Sequence, residues 1–197
     1  MDLVSAITSE DFASVLREQP DLVNARDQHG VSALLLAIYH RRPEARDALL
    51  AAGAEVGPLE AAALGDLDKL DPAARGGDGF TPLHLAAFFG GADAVRALLR
   101  MGVHPDADAD NTFGVNPIHS ASAVGDVDAV RALLEAGANP SVQQKGGYTP
   151  LHSAAHNGNA PLIRLLLDNG ADPALAADDG QTPRDMATDD VRGLFSP

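Results

Sequence analysis

The chain has 197 residues, 45% of them apolar but only 4% aromatic, a balance that supplies thin helical layers better than a large globular core. It contains no cysteine, which excludes disulfides, a thiol nucleophile and a cysteine-bound zinc. Twenty-eight acids against fourteen bases give a formal charge of −14, a field that repels phosphate backbones and argues against general binding to DNA or RNA. The acidity keeps the chain soluble and would also steer a basic partner. The apolar runs fall far short of the roughly 20 residues of a membrane span. Met1-Asp2-Leu3-Val4-Ser5 lacks the basic region and apolar stretch of a secretory leader, so the expected address is the cytoplasm.

In chain order, residues 1–25 read as an N-terminal cap of two short helices, around Val4–Thr8 and Asp11–Arg17. Residues 26–57 form a full but divergent unit that carries Ser32-Ala33-Leu34-Leu35 where later units carry a Thr-Pro-Leu-His word. Residues 58–75 form a shortened unit: Pro58 to Leu64 makes a good first helix, but Gly65 lies only 17 residues before Pro82, against 27 from Gly90 to Pro117. This unit has lost its entering finger and part of its second helix. Three regular units follow at 76–109, 110–143 and 144–177, and 178–197 closes the chain as a C-terminal cap.

The regular units share three words. Thr81-Pro82-Leu83-His84 returns as Asn116-Pro117-Ile118-His119 and Thr149-Pro150-Leu151-His152, then damaged as Thr182-Pro183-Arg184-Asp185, with prolines stepping by 35, 33 and 33. Ala94-Val95-Arg96-Ala97-Leu98-Leu99 returns as Ala129-Val130-Arg131-Ala132-Leu133-Leu134. Gly53, Gly102, Gly137 and Gly170 close the units. Thr before Pro places a capping oxygen ahead of a residue that needs no N–H, so each first word starts a short helix. For Pro82 to Phe89 the break is expected at Gly90, with equivalent breaks at Gly125 and Gly158. The Leu-Leu pair is the buried stripe of the second helix, and the closing glycine suits a left-handed cap.

Three linked words at one period resemble the ankyrin repeat, known by its T-P-L-H signature and a period of about 33 residues. The likeness covers roughly residues 26 to 188. It implies an all-α ankyrin-repeat solenoid, one domain of about six to seven units including caps. Antiparallel helix pairs stack in a line, with β-hairpin fingers projecting from them.

No residue pattern points to chemistry. His84, His119 and His152 recur at the repeat period, which marks them as structural, and His29, His40, His104 and His156 show no metal-ligand spacing. Asp106, Asp108 and Asp110 resemble the opening of a calcium loop, but Asn111 stands where its glycine belongs and Pro117 where its closing Glu belongs. Gly76-Gly77-Asp78-Gly79 leads into a short helix and reads as a finger turn, not a phosphate cradle. The expectation is a non-enzymatic protein with no cofactor and no metal, monomeric on its own.

The resemblance implies that a partner protein lies across the finger tips and the exposed side of the first helices. The residues at those positions are Tyr39, His40, Asp78, Phe80, Phe88, Phe89, Phe113, Val115, Val124, Lys145, Tyr148, His156 and Asn157. Six of the eight aromatics fall there, leaving Phe12 and Phe195 in the caps. Phe80 and Tyr148 are expected to pack between fingers, and Phe88 and Phe89 to face the partner, since exposed aromatics on rigid surfaces anchor interfaces. The alternative to a plain scaffold is a regulatory or inhibitory subunit whose acidic face covers the basic rim of an enzyme or toxin.

Overall fold

A computed structural model of the chain describes residues 2–195, in which short helices alternate with turns throughout. The N-terminal pair is α1 (Leu3–Ile7) and α2 (Phe12–Glu18), each started by an aspartate that accepts a backbone N–H, Asp2 from Ser5 and Asp11 from Ser14. The next pair is α3 (Ala33–Tyr39) and α4 (Pro43–Ala51). Then α5 (Pro58–Leu64) is followed only by a 3-10 turn at Leu67–Lys69. Helix α6 (Pro82–Leu85) runs into a π turn at Ala86–Gly90 and on to α7 (Gly91–Arg100). Two regular pairs follow, α8 (Pro117–Val124) with α9 (Val127–Glu135) and α10 (Pro150–His156) with α11 (Ala160–Asp168). The chain closes with α12 (Pro183–Met186) and a 3-10 turn at Arg192–Phe195.

These helices stack as two rows. The first helices of each pair form the inner row, in which α5 packs on α3 and on α6 with its π turn, α8 on that turn, and α10 on α8 and α12. The outer row runs α2 to α4 and, separately, α7 to α9 to α11. Leu83, Ile118 and Leu151 of the inner row are fully buried, as are Leu49, Leu98, Leu133 and Leu166 of the outer row. Burying each such side chain contributes about 1.5–3 kcal/mol. The contacts are with neighbouring units, so stability is shared along the stack.

The fingers differ from the hairpins expected. They are tight turns held by two backbone bonds, as in Gly76 N–H to Phe80 O at 3.0 Å with Gly79 N–H to Gly76 O at 3.1 Å, and Gln144 N–H to Tyr148 O at 3.0 Å with Gly147 N–H to Gln144 O at 2.9 Å. Only Arg26 and Ser32 make a β-bridge among the described residues. Successive fingers are linked through Asp110 N–H to Gly79 O, Lys145 N–H to Phe113 O and Asp178 N–H to Gly146 O. One bond per junction is too little for a ladder. Where the truncated unit lacks a finger, the row closes up: a Cβ on Gly77 would lie 1.7 Å from the His29 carbonyl oxygen.

The helix break expected at Gly90 falls at Gly91, which holds φ 79°, while Gly90 stays helical at φ −86°. Close packing accounts for the shift. A Cβ on Gly90 would meet the Ala62 carbonyl oxygen at 2.0 Å, so the π turn lies flush on α5 and the chain leaves the helix one residue later.

Candidate partner-binding surface

The inner helices end on one side in exposed residues, and the π turn places Phe88 and Phe89 there. Their ring centroids lie 4.6 Å apart, and Phe89 stacks on Tyr39 at 5.7 Å with planes 22° apart. Tyr39 O–H donates to Asp78 Oδ2 at 2.6 Å, tying α3 to the finger at 76–80. Burial, followed by this bond, pushes the Tyr39 phenol far above its usual range, so it stays a donor at any physiological pH. Tyr39, Phe80, Phe88, Phe89, Val115, Leu85 and Ala123 line a hollow of about 380 Å3. Ser120, Gln144 and Ser153 add polar atoms to its walls. Such a mainly apolar hollow with a few fixed polar groups suits large side chains of a ligand.

The sequence-derived positions divide in two. Tyr39, Asp78, Phe80, Phe88, Phe89 and Val115 meet around the hollow or brace it. Phe113, Val124, Lys145, Tyr148, His156, Asn157 and His40 lie outside it. Phe113 is 60% exposed at the tip of the longest finger, Ala109 to Val115, where the two extra residues of that unit carry it outward. Val124, at the end of α8, is 38% exposed, and His40, Lys145, His156 and Asn157 are exposed too. Tyr148 packs edge-on against His152 at 5.5 Å and donates to Asp179 of the next finger at 2.8 Å. Phe80 lies 5.8 Å from the His84 ring, half-buried as Tyr148 is. Phe88 and Phe89 are half-buried rather than fully exposed, because each covers the other and Phe89 covers Tyr39.

Sequence reasoning missed Arg41, whose guanidinium carbon lies 5.9 Å above the Phe88 ring, within cation–π range. The sequence shows only the absence of a glycine at this position. Arg41 stands where Gly125 and Gly158 end the corresponding helices, and it alone among non-glycine described residues has positive φ, at 50°.

Residues 59–144 match the family model described as ankyrin repeats in three copies, and residues 133–187 match one described as ankyrin repeats in many copies. The chain belongs to the ankyrin-repeat family. No curated protein matches it. Ankyrin repeats generally mediate protein–protein interaction, and ankyrin-repeat proteins are typically non-enzymatic. No helix among the described residues is long and apolar enough to cross a membrane.

The ankyrin histidines brace the surface, His84 and His119 from the wall of the hollow itself. His84 Nε2 lies 2.8 Å from Val115 O, His119 Nε2 3.0 Å from Val142 O and His152 Nε2 3.1 Å from Gln181 O. A carbonyl only accepts, so Nε2 carries the proton and Nδ1 is left to accept. It does so from the Thr81 hydroxyl at 2.8 Å, the Asn116 N–H at 3.1 Å and the Thr149 N–H at 3.0 Å. Each ring thus ties a helix start to the next finger in its neutral form. Burial lowers all three pKa values, that of His119 to about 4.

The acidic ladder of this ankyrin chain is occupied by the protein itself. Asp106 accepts the Asn139 N–H on both oxygens at 3.1 Å, and Asp108 accepts from Asn116 Nδ2 at 3.2 Å. No group of three His, Asp or Glu among the described residues is placed to hold a metal ion.

Proposed function

We propose that the protein is a non-enzymatic scaffold that binds a partner protein on its finger and inner-helix face. A large apolar side chain of the partner enters the hollow beside Phe88 and Phe89. The observation that carries this reading is the aromatic cluster of Tyr39, Phe88 and Phe89 beside Phe80 and Val115, with Phe113 and Val124 exposed along the same row. Half-buried rings fixed by stacking lose little entropy on binding and still remove apolar area from water. Asp27, Asp78, Asp108, Asp110, Asp178 and Asp179 dominate the finger segments, which favours a basic rim on the partner. The same acidity supports the second reading, a regulatory subunit covering the basic rim of an enzyme or toxin.

The test is affinity capture from native lysate with the wild type and with Phe88→Ala combined with Phe113→Ala. The reading expects one protein to be captured by the wild type and lost with the variant. It also expects hydrogen-exchange protection of residues 78–89 and 113–124 in the complex. Capture unaffected by the variant refutes it. An enzymatic activity of the captured protein, suppressed on binding, selects the regulatory reading.

A further inference from the structure

We infer a second docking site beyond the finger and inner-helix face (the palm), with which it shares Phe89: the gap left in the outer row by the truncated unit accepts an acidic helix of a protein partner. Helix α4 packs on α2 on one side, but on the other the chain offers only the 3-10 turn at Leu67–Lys69 in place of an outer helix. The sequence of α4 has changed to match. Ala45 and Leu49 are fully buried, in register with Ala94 and Leu98 of α7, Ala129 and Leu133 of α9, and Leu162 and Leu166 of α11. The position one residue after the first of each pair is Val95, Val130 and Ile163, all fully buried, yet in α4 it is Arg46, with a side chain 39% exposed. An arginine stands where the other outer helices place a core residue, on the helix whose following unit has only a 3-10 turn for an outer helix.

Arg46 is joined there by two more cations. Arg41, Arg42 and Arg46 line one hollow of about 430 Å3 whose remaining walls are apolar, among them Ile38, Leu64 and Phe89. Three of the chain's twelve arginines thus fall within six consecutive residues, in a molecule of formal charge −14. Arg42 is committed to the Thr8 and Ser9 carbonyls. Arg46 pairs only with its exposed neighbour Asp47, at 2.8 Å. Among the described residues Arg41 has no carboxylate partner and reaches only the Phe88 ring. Its φ of 50° is one that glycine holds without strain, so an arginine kept in this conformation points to a use for its side chain.

The missing element is a helix, which sets the size of the occupant. The exposed guanidinium groups set its charge, since a carboxylate fits the arginine fork in a bidentate pair. Leu50 and Leu67, on the two elements that bound the gap, are 37% and 47% exposed and offer apolar edges for the same helix.

The probe is a fluorescein-labelled stapled helical peptide with leucines along one face and glutamates flanking them, alongside its lysine counterpart. Each is titrated with the full chain and followed by anisotropy. The glutamate peptide is expected to bind at least ten-fold more tightly than the lysine peptide. Arg41→Glu with Arg46→Glu should weaken it at least ten-fold, and Phe113→Ala should leave it unchanged. Arg41→Gly with Arg46→Val, which restores the residues of the regular units, guards against misfolding. It should keep or raise the melting temperature while losing the preference for glutamate. Absence of saturable binding, equal binding of the two peptides, or binding that survives both arginine variants overturns the proposal. Loss of binding with Phe113→Ala also overturns it, by assigning the peptide to the palm. Displacement by a short DNA duplex would assign the arginines to nucleic acid instead.

Discussion

His119 accepts a helix-start N–H on one ring nitrogen and donates to the carbonyl of the next finger from the other, 4% exposed between two units. His119→Ala leaves both of those groups without a partner, so stability should fall by about 1–3 kcal/mol in urea denaturation. Partner affinity of the folded variant should be little changed, since the ring, although it edges the hollow, is only 4% exposed. The same burial makes stability depend on pH. The folded pKa of His119 is lowered from 6.5 to about 4, so between those values the unfolded chain binds more protons than the folded one. Its contribution is whole above about 6.5 and is lost as pH falls toward about 4, with His84 and His152 acting in the same direction. Each such group supplies a slope of at most about 1.4 kcal/mol per pH unit. Urea midpoints should therefore drop from pH 7 to pH 5 in the wild type, and less steeply in His119→Ala. A flat profile would contradict the buried neutral ring. The histidine role was legible because the word recurs at the repeat period. The role of Arg41 was not, because the αL turn it replaces is normally marked by glycine, and only the backbone shows that an arginine can hold it.

At the scale of elements, Pro at the first helical turn and Leu-Leu in the second located most helices to within a residue or two. What the pattern could not show is how the truncated unit is absorbed. Helix α5 packs on α6 and on the π turn at Ala86–Gly90, a turn that the pattern does not mark. Gly90→Ala tests this directly. Its backbone is right-handed at φ −86° and ψ −15°, which alanine adopts freely, so any loss comes from the Cβ meeting the Ala62 carbonyl oxygen at 2.0 Å. Stability should fall by about 1–3 kcal/mol, the range for overpacking. Gly193→Ala, whose Cβ would have open space, should change it by less than about 0.5 kcal/mol. Equal effects at the two positions would mean that α5 and the π turn are not held in contact. The fingers fall short of the hairpins that the family resemblance implies, for a related reason. The glycines mark turns, but strand pairing needs several successive bonds, and apart from the finger with the Arg26–Ser32 bridge each makes two at most.

For the whole molecule, the stack determines which residues are spare. Leu83, Ala86 and Ala87 take up the buried side of the inner helix, and Phe88 and Phe89 are left half-buried at its end. Phe88→Ala with Phe89→Ala should therefore cost well under the roughly 3–5 kcal/mol of emptying a core phenylalanine site. Phe89 should account for most of the loss, because it supports Tyr39 and the Tyr39–Asp78 bond. Of the six aromatics on the positions the family resemblance implied, Tyr39, Phe80, Phe88 and Phe89 meet around the hollow, and Phe113 and Tyr148 lie outside it. The hollow itself was not legible in the sequence, because it depends on the π turn and on distances between units that no spacing encodes. The most direct test is the affinity of the captured partner for the wild type and for Phe88→Ala, read by calorimetry on protein checked for an unchanged unfolding midpoint. The account predicts a loss of at least about 2 kcal/mol, roughly thirty-fold in Kd. An unchanged Kd with an intact fold would contradict it and remove the palm as the place where this protein holds its partner.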